Sequence, residues 1–384
     1  MQASYIEAFF SLVRAGLWKK EVQLLSYGEI DFADVFQLAE EQSVVGLVAA
    51  GIEHIADKKP QKKDVLQFIG RTVQLEQRNQ AMNCFIGDLV EKMREEGIHT
   101  VLVKGQGVGQ CYERPLWRSC GDVDLFFDTW NYERARFFLI PLALHVDEED
   151  KRRLHLGMTI DGWTVELHGT LHTEISKRIN KGIDAIQREI FTQGKVRVWK
   201  DGDADVFLPA PDEDVILVFT HFLEHFFIGG VGLRQLSDWC RLLWTYRDRI
   251  DAGLLESRLK DMDLMPEWKG FASFAVNYLG MSVDDMPLYT NIPKYRRKAD
   301  RICRLILRTG NMGHNIDQSY RTKYPGLVAK VITFFRRLGE FVRLTVIFPE
   351  NAIAFWATYV IRRTKAGCYK EIDKLRNISC MKEK

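Results

Sequence analysis

The sequence predicts an α/β fold, in looser terms α+β, with one small mixed sheet enclosed by helical regions from both ends of the chain. Three observations carry this. Residues 100–103 and 122–127 are short apolar runs separated by a glycine-bearing turn, the mark of two buried strands. Residues 153–168 alternate about Asp161-Gly162, a two-residue hairpin signal. Residues 4–95 and most of the chain after Asp212 instead repeat apolar side chains at helical spacing.

The N-terminal region, 1–96, reads as helices only. Ile6, Phe9, Phe10 and Val13 share a helical face, and Asp31 and Asp34 precede the next apolar set as helix starters. A further helix is expected over 43–55, closed by the loop Asp57-Lys58-Lys59-Pro60. A long helix over 63–96 follows, with Leu66, Ile69, Val73, Leu75, Met82, Ile86, Leu89 and Met93 as its stripe. Gly97 ends it.

The informative part is 97–208. The first strand stops at Lys104-Gly105, and 106–114 reads as a short helix leaving the turn. Asp122 and Asp124 then point to one face of the second strand while Val123 and Leu125 point into the core. Two carboxylates about 7 Å apart on one strand face repel unless a cation lies between them, and oxygen-seeking Mg²⁺ or Mn²⁺ suits that place. Backbone N–H groups at the Lys104-Gly105-Gln106 turn suit phosphate oxygens.

After a helix over 131–139, the Asp161-Gly162 turn sets a hairpin register. It pairs Ile160 with Trp163, Met158 with Val165 and Leu156 with Leu167 on an apolar face. The other face pairs Thr159 with Thr164, Gly157 with Glu166 and His155 with His168, so Glu166 is expected to have room beside it. His168 shares that face, as a ligand to phosphate, base or acceptor, or as a structural histidine. Residues 196–208 read as another strand pair about Asp201-Gly202-Asp203.

The order Val103-Lys104-Gly105, Tyr112, Pro115, Arg118, Asp122-Val123-Asp124 resembles the nucleotidyltransferase superfamily related to DNA polymerase β. It is most similar to that superfamily's bacterial uncharacterised nucleotidyltransferase branch, over residues 98–168. One departure is Gly105-Gln106, where the wider superfamily prefers Gly-Ser or Gly-Gly. The resemblance implies transfer of a nucleoside monophosphate from an NTP. Asp122, Asp124 and Glu166 would be the catalytic, metal-holding acids, with Glu166 in the run Val165-Glu166-Leu167-His168. Lys104, Gly105, Gln106, Arg118 and His168 would bind the nucleotide. A non-catalytic nucleotide- or partner-binding module and an RNA or tRNA nucleotidyltransferase are the alternatives.

Residues 209–325 read as a helical, substrate-side region. His221 and His225 lie one turn apart on its first helix, suited to packing, a substrate pocket or a metal. Arg234 and Asp238 read as a surface ion pair or as cleft lining. The region 326–384 is basic and amphipathic. Residues 291–384 hold 21 Lys/Arg against 7 Asp/Glu, leaving 33 against 45 for the rest, although the net charge is only +2. That tail is expected to meet nucleic acid or a membrane surface, or to dock on the core as a solvated helix. It contains no apolar run long enough for a transmembrane span. Seven scattered cysteines without a Cys-x-x-Cys pair, and an N-terminus without a basic and apolar leader, point to a reducing cytoplasm.

Overall fold

The structure, a computed structural model, describes residues 4–202 and 204–358. Asp203, Cys368, Cys380 and the end of the apolar run 352–361 lie outside the described residues, as does the last part of the basic tail.

Helices α1 (Ser4–Trp18), α2 (Phe32–Glu41), α3 (Val45–Glu53) and α4 (Lys62–Glu95) form the N-terminal region. The Asp31 carboxylate accepts from the Ala33 N–H at 2.8 Å and caps α2. Helix α3 starts later than expected because Ser43 is left-handed, with φ of 55°. The Ser43 and Val44 amides instead close the end of α2 on the Glu40 and Ala39 carbonyls. Helices α1 and α3 pack backbone to backbone: a Cβ on Gly51 would lie 2.0 Å from the Leu12 carbonyl oxygen.

The expected stripe of α4 is wrong in its first half. Leu66, Ile69 and Val73 are exposed, and Phe68, Thr72 and Asn79 are buried in their place, with Leu75 buried as expected. Polar residues hold buried positions there because they find partners inside. Asn79 donates to the Leu116 and Arg118 carbonyls at 2.7 Å each and accepts from Gln106 Nε2 at 2.9 Å.

The main sheet comprises β1 (Val101–Val103), β2 (Asp122–Phe126), β3 (His145–Val146), β4 (His155–Ile160) and β5 (Trp163–His168). Their order is β1-β2-β5-β4-β3, with β2 and β5 parallel and the other pairs antiparallel. Every β4–β5 pair named above is observed. Asp161 and Gly162 supply the positive φ angles of the turn, 49° and 81°. Between β1 and β2, helix α5 covers only Gly105–Gly109. Glycines within it and the approach of Pro115 leave too little helix propensity to continue to Arg114. Helix α6 (Thr129–Leu139) follows β2.

Helix α7 (Lys177–Gln193) was not anticipated, although Ile179, Ile183, Ile186 and Ile190 form its buried stripe. Its Gln187 Nε2 donates to the Phe127 and Gly169 carbonyls at 2.9 and 2.8 Å, tying together the ends of β2 and β5. Strands β6 (Val196–Asp201) and β7 (Ala204–Pro209) make a second, two-stranded sheet. Then come α8 (Pro211–Ile228), α9 (Leu233–Thr245), α10 (Ala252–Asp261), α11 (Met265–Asn277), α12 (Pro293–Thr309), α13 (Tyr320–Lys323) and α14 (Gly326–Ile347).

Two apolar cores result. One lies between α4, α6 and the sheet face of Val123, Leu125, Val165 and Leu167. The other joins α1–α3 to α8–α12, so helices from both ends of the chain share it. The opposite face of the sheet, carrying the carboxylates, looks toward α8. The α1–α3 contact gives a test. Gly51→Ala should lower unfolding free energy by about 1–3 kcal/mol in a denaturant titration, because the helices must separate to admit the methyl group. Unchanged stability would mean that the close approach contributes nothing.

Candidate active site

Parallel pairing of β2 with β5 sets Asp122 opposite Thr164 and Asp124 opposite Glu166. All three carboxylates therefore project from the same sheet face. Asp124 is buried, at 3% exposure, and accepts from Lys104 Nζ and meets His168 Nε2, both at 2.8 Å from its Oδ1. His168 Nε2 is also 3.5 Å from Glu166 Oε2, and His155 Nε2 is 3.2 Å from that same oxygen. Asp124 and Glu166 thus flank one imidazole. Lys104 reaches them because it sits at the end of β1 with φ of 59°, and Gly105 follows with φ of 36°.

Charge sets the state of each group. Asp124 would be raised by burial, but the Lys104 ammonium and the His168 hydrogen bond hold it far below the usual carboxylate range. Burial opposes the Lys104 charge, and Asp124, then Glu166 and Asp122, more than offset it, so its pKa is raised. Asp122 is pushed up to about 6, chiefly by the Asp124 charge and then by burial. Glu166 is lowered, first by its hydrogen bond with His155. His168 is lowered by burial and then by Lys104, so its imidazole is neutral near pH 7.

Helix α8 forms the far wall. Cavities of about 190 and 130 Å³ meet over Lys104 and Glu166, and His221 and His225 line both. Burial, then Lys104, lowers the His221 pKa well below its ordinary value. Burial first brings His225 to about 4. The helical spacing of these two histidines was visible in the sequence, but the sheet face they oppose was not. Arg234 also lines the cleft beside Asp122 and Asp124.

Several expectations need correction. The space opposite Glu166 is taken: a Cβ on Gly157 would lie 2.4 Å from Asp147 Oδ2, a carboxylate reaching across from the end of β3. Asp238 is buried and is not paired with Arg234. Its carboxylate accepts from Arg118 Nε and Nη2 at 2.8 and 2.7 Å and from the Tyr112 hydroxyl at 2.8 Å. Arg118 is thereby held inside the protein, 7% exposed, with Asp238 countering its burial and keeping it charged. The Gln106 side chain is 1% exposed and turned toward Asn79, away from the cleft. Of the residues expected around the nucleotide, Lys104, Gly105, Arg118 and His168 line the cleft with the three acids.

The donor set fits a divalent cation. Asp122, Asp124 and Glu166 offer oxygens, and the repulsion that lifts Asp122 is one a cation between them removes. A second, overlapping set comprises His155, Glu166 and His168, whose ligand atoms lie within 4.8 Å of one another.

A mixed sheet with acids on two adjacent parallel strands, a lysine turn before them and helical walls defines the class of molecule. The chain belongs to the uncharacterised nucleotidyltransferase family, whose model matches residues 28–280. That match extends well beyond 98–168, from α2 to α11, so helices on both sides of the sheet are part of what the family shares. No curated protein and no solved structure matches the chain. Family membership supports nucleotidyl transfer as the general class of function.

The buried clamp can be separated from nucleotide binding. Arg118→Ala leaves Asp238 buried without its partner and should cost roughly 3–5 kcal/mol in denaturant unfolding, with Asp238→Asn also destabilising. Wild-type stability combined with weakened NTP binding would show that Arg118 serves the phosphates instead.

Proposed function

We propose that the protein is a metal-dependent nucleotidyltransferase that moves a nucleoside monophosphate from an NTP to a hydroxyl-bearing acceptor. The carrying observation is the convergence of Asp122, Asp124 and Glu166 on one sheet face beside Lys104. In this reading the NTP phosphates lie at the Lys104-Gly105-Gln106 turn, contacted through backbone at Gln106. Lys104 and Arg234 offset their charge, together with Arg118, which lines the same cleft.

Asp122, Asp124 and Glu166 would hold Mg²⁺ or Mn²⁺, which when bound supplies positive charge at the reacting phosphate and acidifies a nearby hydroxyl. The acceptor oxygen forms a bond to the α-phosphorus. The bond from that phosphorus to its bridging oxygen breaks, and pyrophosphate leaves. Glu166, oriented by His155, takes the acceptor's proton. Lys104 and His168 fix Asp124 in one position. Neutral His221 and His225 face the same cleft and can hydrogen-bond the acceptor or the nucleoside.

The test is thermal stabilisation by each NTP with and without Mg²⁺ or Mn²⁺, followed by pyrophosphate release with cell extract as acceptor source. Asp122→Asn and Asp124→Asn should each reduce release by at least about 100-fold while the protein remains folded. Full turnover in either variant would remove the metal assignment. NTP stabilisation without pyrophosphate release under any acceptor condition would favour a non-catalytic nucleotide-binding module.

Glu166→Gln separates binding from chemistry. It should weaken Mg²⁺ affinity and slow single-turnover transfer more than it weakens NTP binding. Equal losses in all three would place Glu166 among groups that merely hold the nucleotide.

A further inference from the structure

Helix α14 has its apolar side facing the wrong way for a core helix. Ala329, Leu344 and Ile347 are buried against the protein. An advance of about 100° per residue puts Val331, Phe334, Phe335, Leu338, Val342 and Val346 on the opposite arc. These six are between 39% and 64% exposed, so the helix presents a continuous apolar ridge to solvent over several turns. Such a ridge exceeds the scattered surface apolar residues that need no explanation.

Charge identifies what it meets. Lys330 and Arg337 follow one border of the ridge, and Arg336 and Arg343 follow the other. Glu340 is the single acidic residue of α14; it pairs with Arg308 and Arg343, and Asp317 pairs with Arg336 at 3.5 Å. Arg336, Arg337 and Arg343 also line a cavity of about 640 Å³ beside the ridge, which adjoins the candidate site at His225. An apolar ridge between two cationic borders suits insertion among acyl chains, with the cations held at lipid phosphates. It suits other partners less well. Nucleic acid needs cations on the projecting face, where this helix carries Phe and Val. A second copy packed ridge to ridge would set cationic borders against cationic borders. Among the described residues no helix is long and apolar enough to cross a membrane, so the contact is one at the surface.

We propose that α14 lies in the plane of an anionic lipid bilayer, its ridge inserted at the headgroup boundary, and docks the protein there as a peripheral membrane protein. This is independent of what the cleft catalyses.

The test is flotation of the full chain with phosphatidylcholine vesicles, alone or with 30 mol% phosphatidylglycerol, at about 0.05 and 0.3 M salt. Binding to the anionic vesicles should be at least about tenfold tighter than to the neutral ones and should weaken with salt. Phe334→Ser with Leu338→Ser should abolish it, and Arg336→Gln with Arg343→Gln should lower it several-fold. Those side chains lie on the surface, so melting temperature should change little in the serine variant, and circular dichroism checks that it folds. The proposal is overturned if the full chain ignores both vesicle types. It is equally overturned if the serine variant floats like the parent, if the parent binds RNA and not vesicles, or if the ridge variants dissolve a dimer that shows no lipid binding.

Discussion

Asp124 is a buried carboxylate on an inner strand of a five-stranded sheet, and the site is built around the cost of keeping it ionised there. An isolated carboxylate at that depth would neutralise. Two contacts prevent this, and each comes from a different strand: Lys104 from the end of β1 and His168 from β5. The strand order β1-β2-β5 is therefore also the order of an electrostatic unit, with the acid on the central member. The left-handed φ at Lys104 belongs to the same requirement, since the chain turns there and its side chain still reaches back to Asp124. Gln187 of α7 fixes the far ends of β2 and β5 and so holds the register that brings Glu166 level with Asp124.

The second buried charge, Arg118, belongs to a different job. Tyr112 and Arg118 both belong to the motif between the strands, and both grip Asp238 of α9. Asn79 of α4 holds the carbonyls at Leu116 and Arg118. The segment between the two site strands is thus pinned to one helix from each helical region. A buried pair of this kind is costly to break and adds little net stability over an apolar substitute. Its value is positional: it sets where α8 and α9 stand against the sheet, and therefore the width of the cleft above the acids.

These distinctions explain what the sequence could and could not reveal. The hairpin register was legible because Asp161-Gly162 and a period of two leave no slack. The helices of the N-terminal region were legible from caps and spacing. The buried face of early α4 was not, because Thr72 and Asn79 look like surface residues until their partners are known. Arg118 was legible only in part: the glycine turn and two acids place a cation beside the cleft, but its partner Asp238 lies 120 residues away. Gly157 read as open space, and only the return of the chain through β3 shows Asp147 filling it. Helix α7 had an isoleucine stripe that needed no tertiary information and was simply not used. The apolar residues of α14 were visible, but which side faces the protein depends on α12 and on Ala329, Leu344 and Ile347.

Three of the cleft imidazoles complete the electrostatic argument. His168, His221 and His225 are all lowered by burial first and by Lys104 next, so none contributes a positive charge near neutral pH. Had they been protonated, they would have neutralised the carboxylates and left nothing to attract a metal ion. Neutral, they leave Asp122, Asp124 and Glu166 opposed mainly by Lys104, a deficit of positive charge that sits at the sheet surface. Lys104 therefore acts twice: it offsets the burial of the Asp124 charge, and it adds to the burial that keeps the facing histidines unprotonated. On the proposed reading, burial and this one lysine together let a histidine-rich cleft remain a site for a divalent cation and the phosphates that follow it.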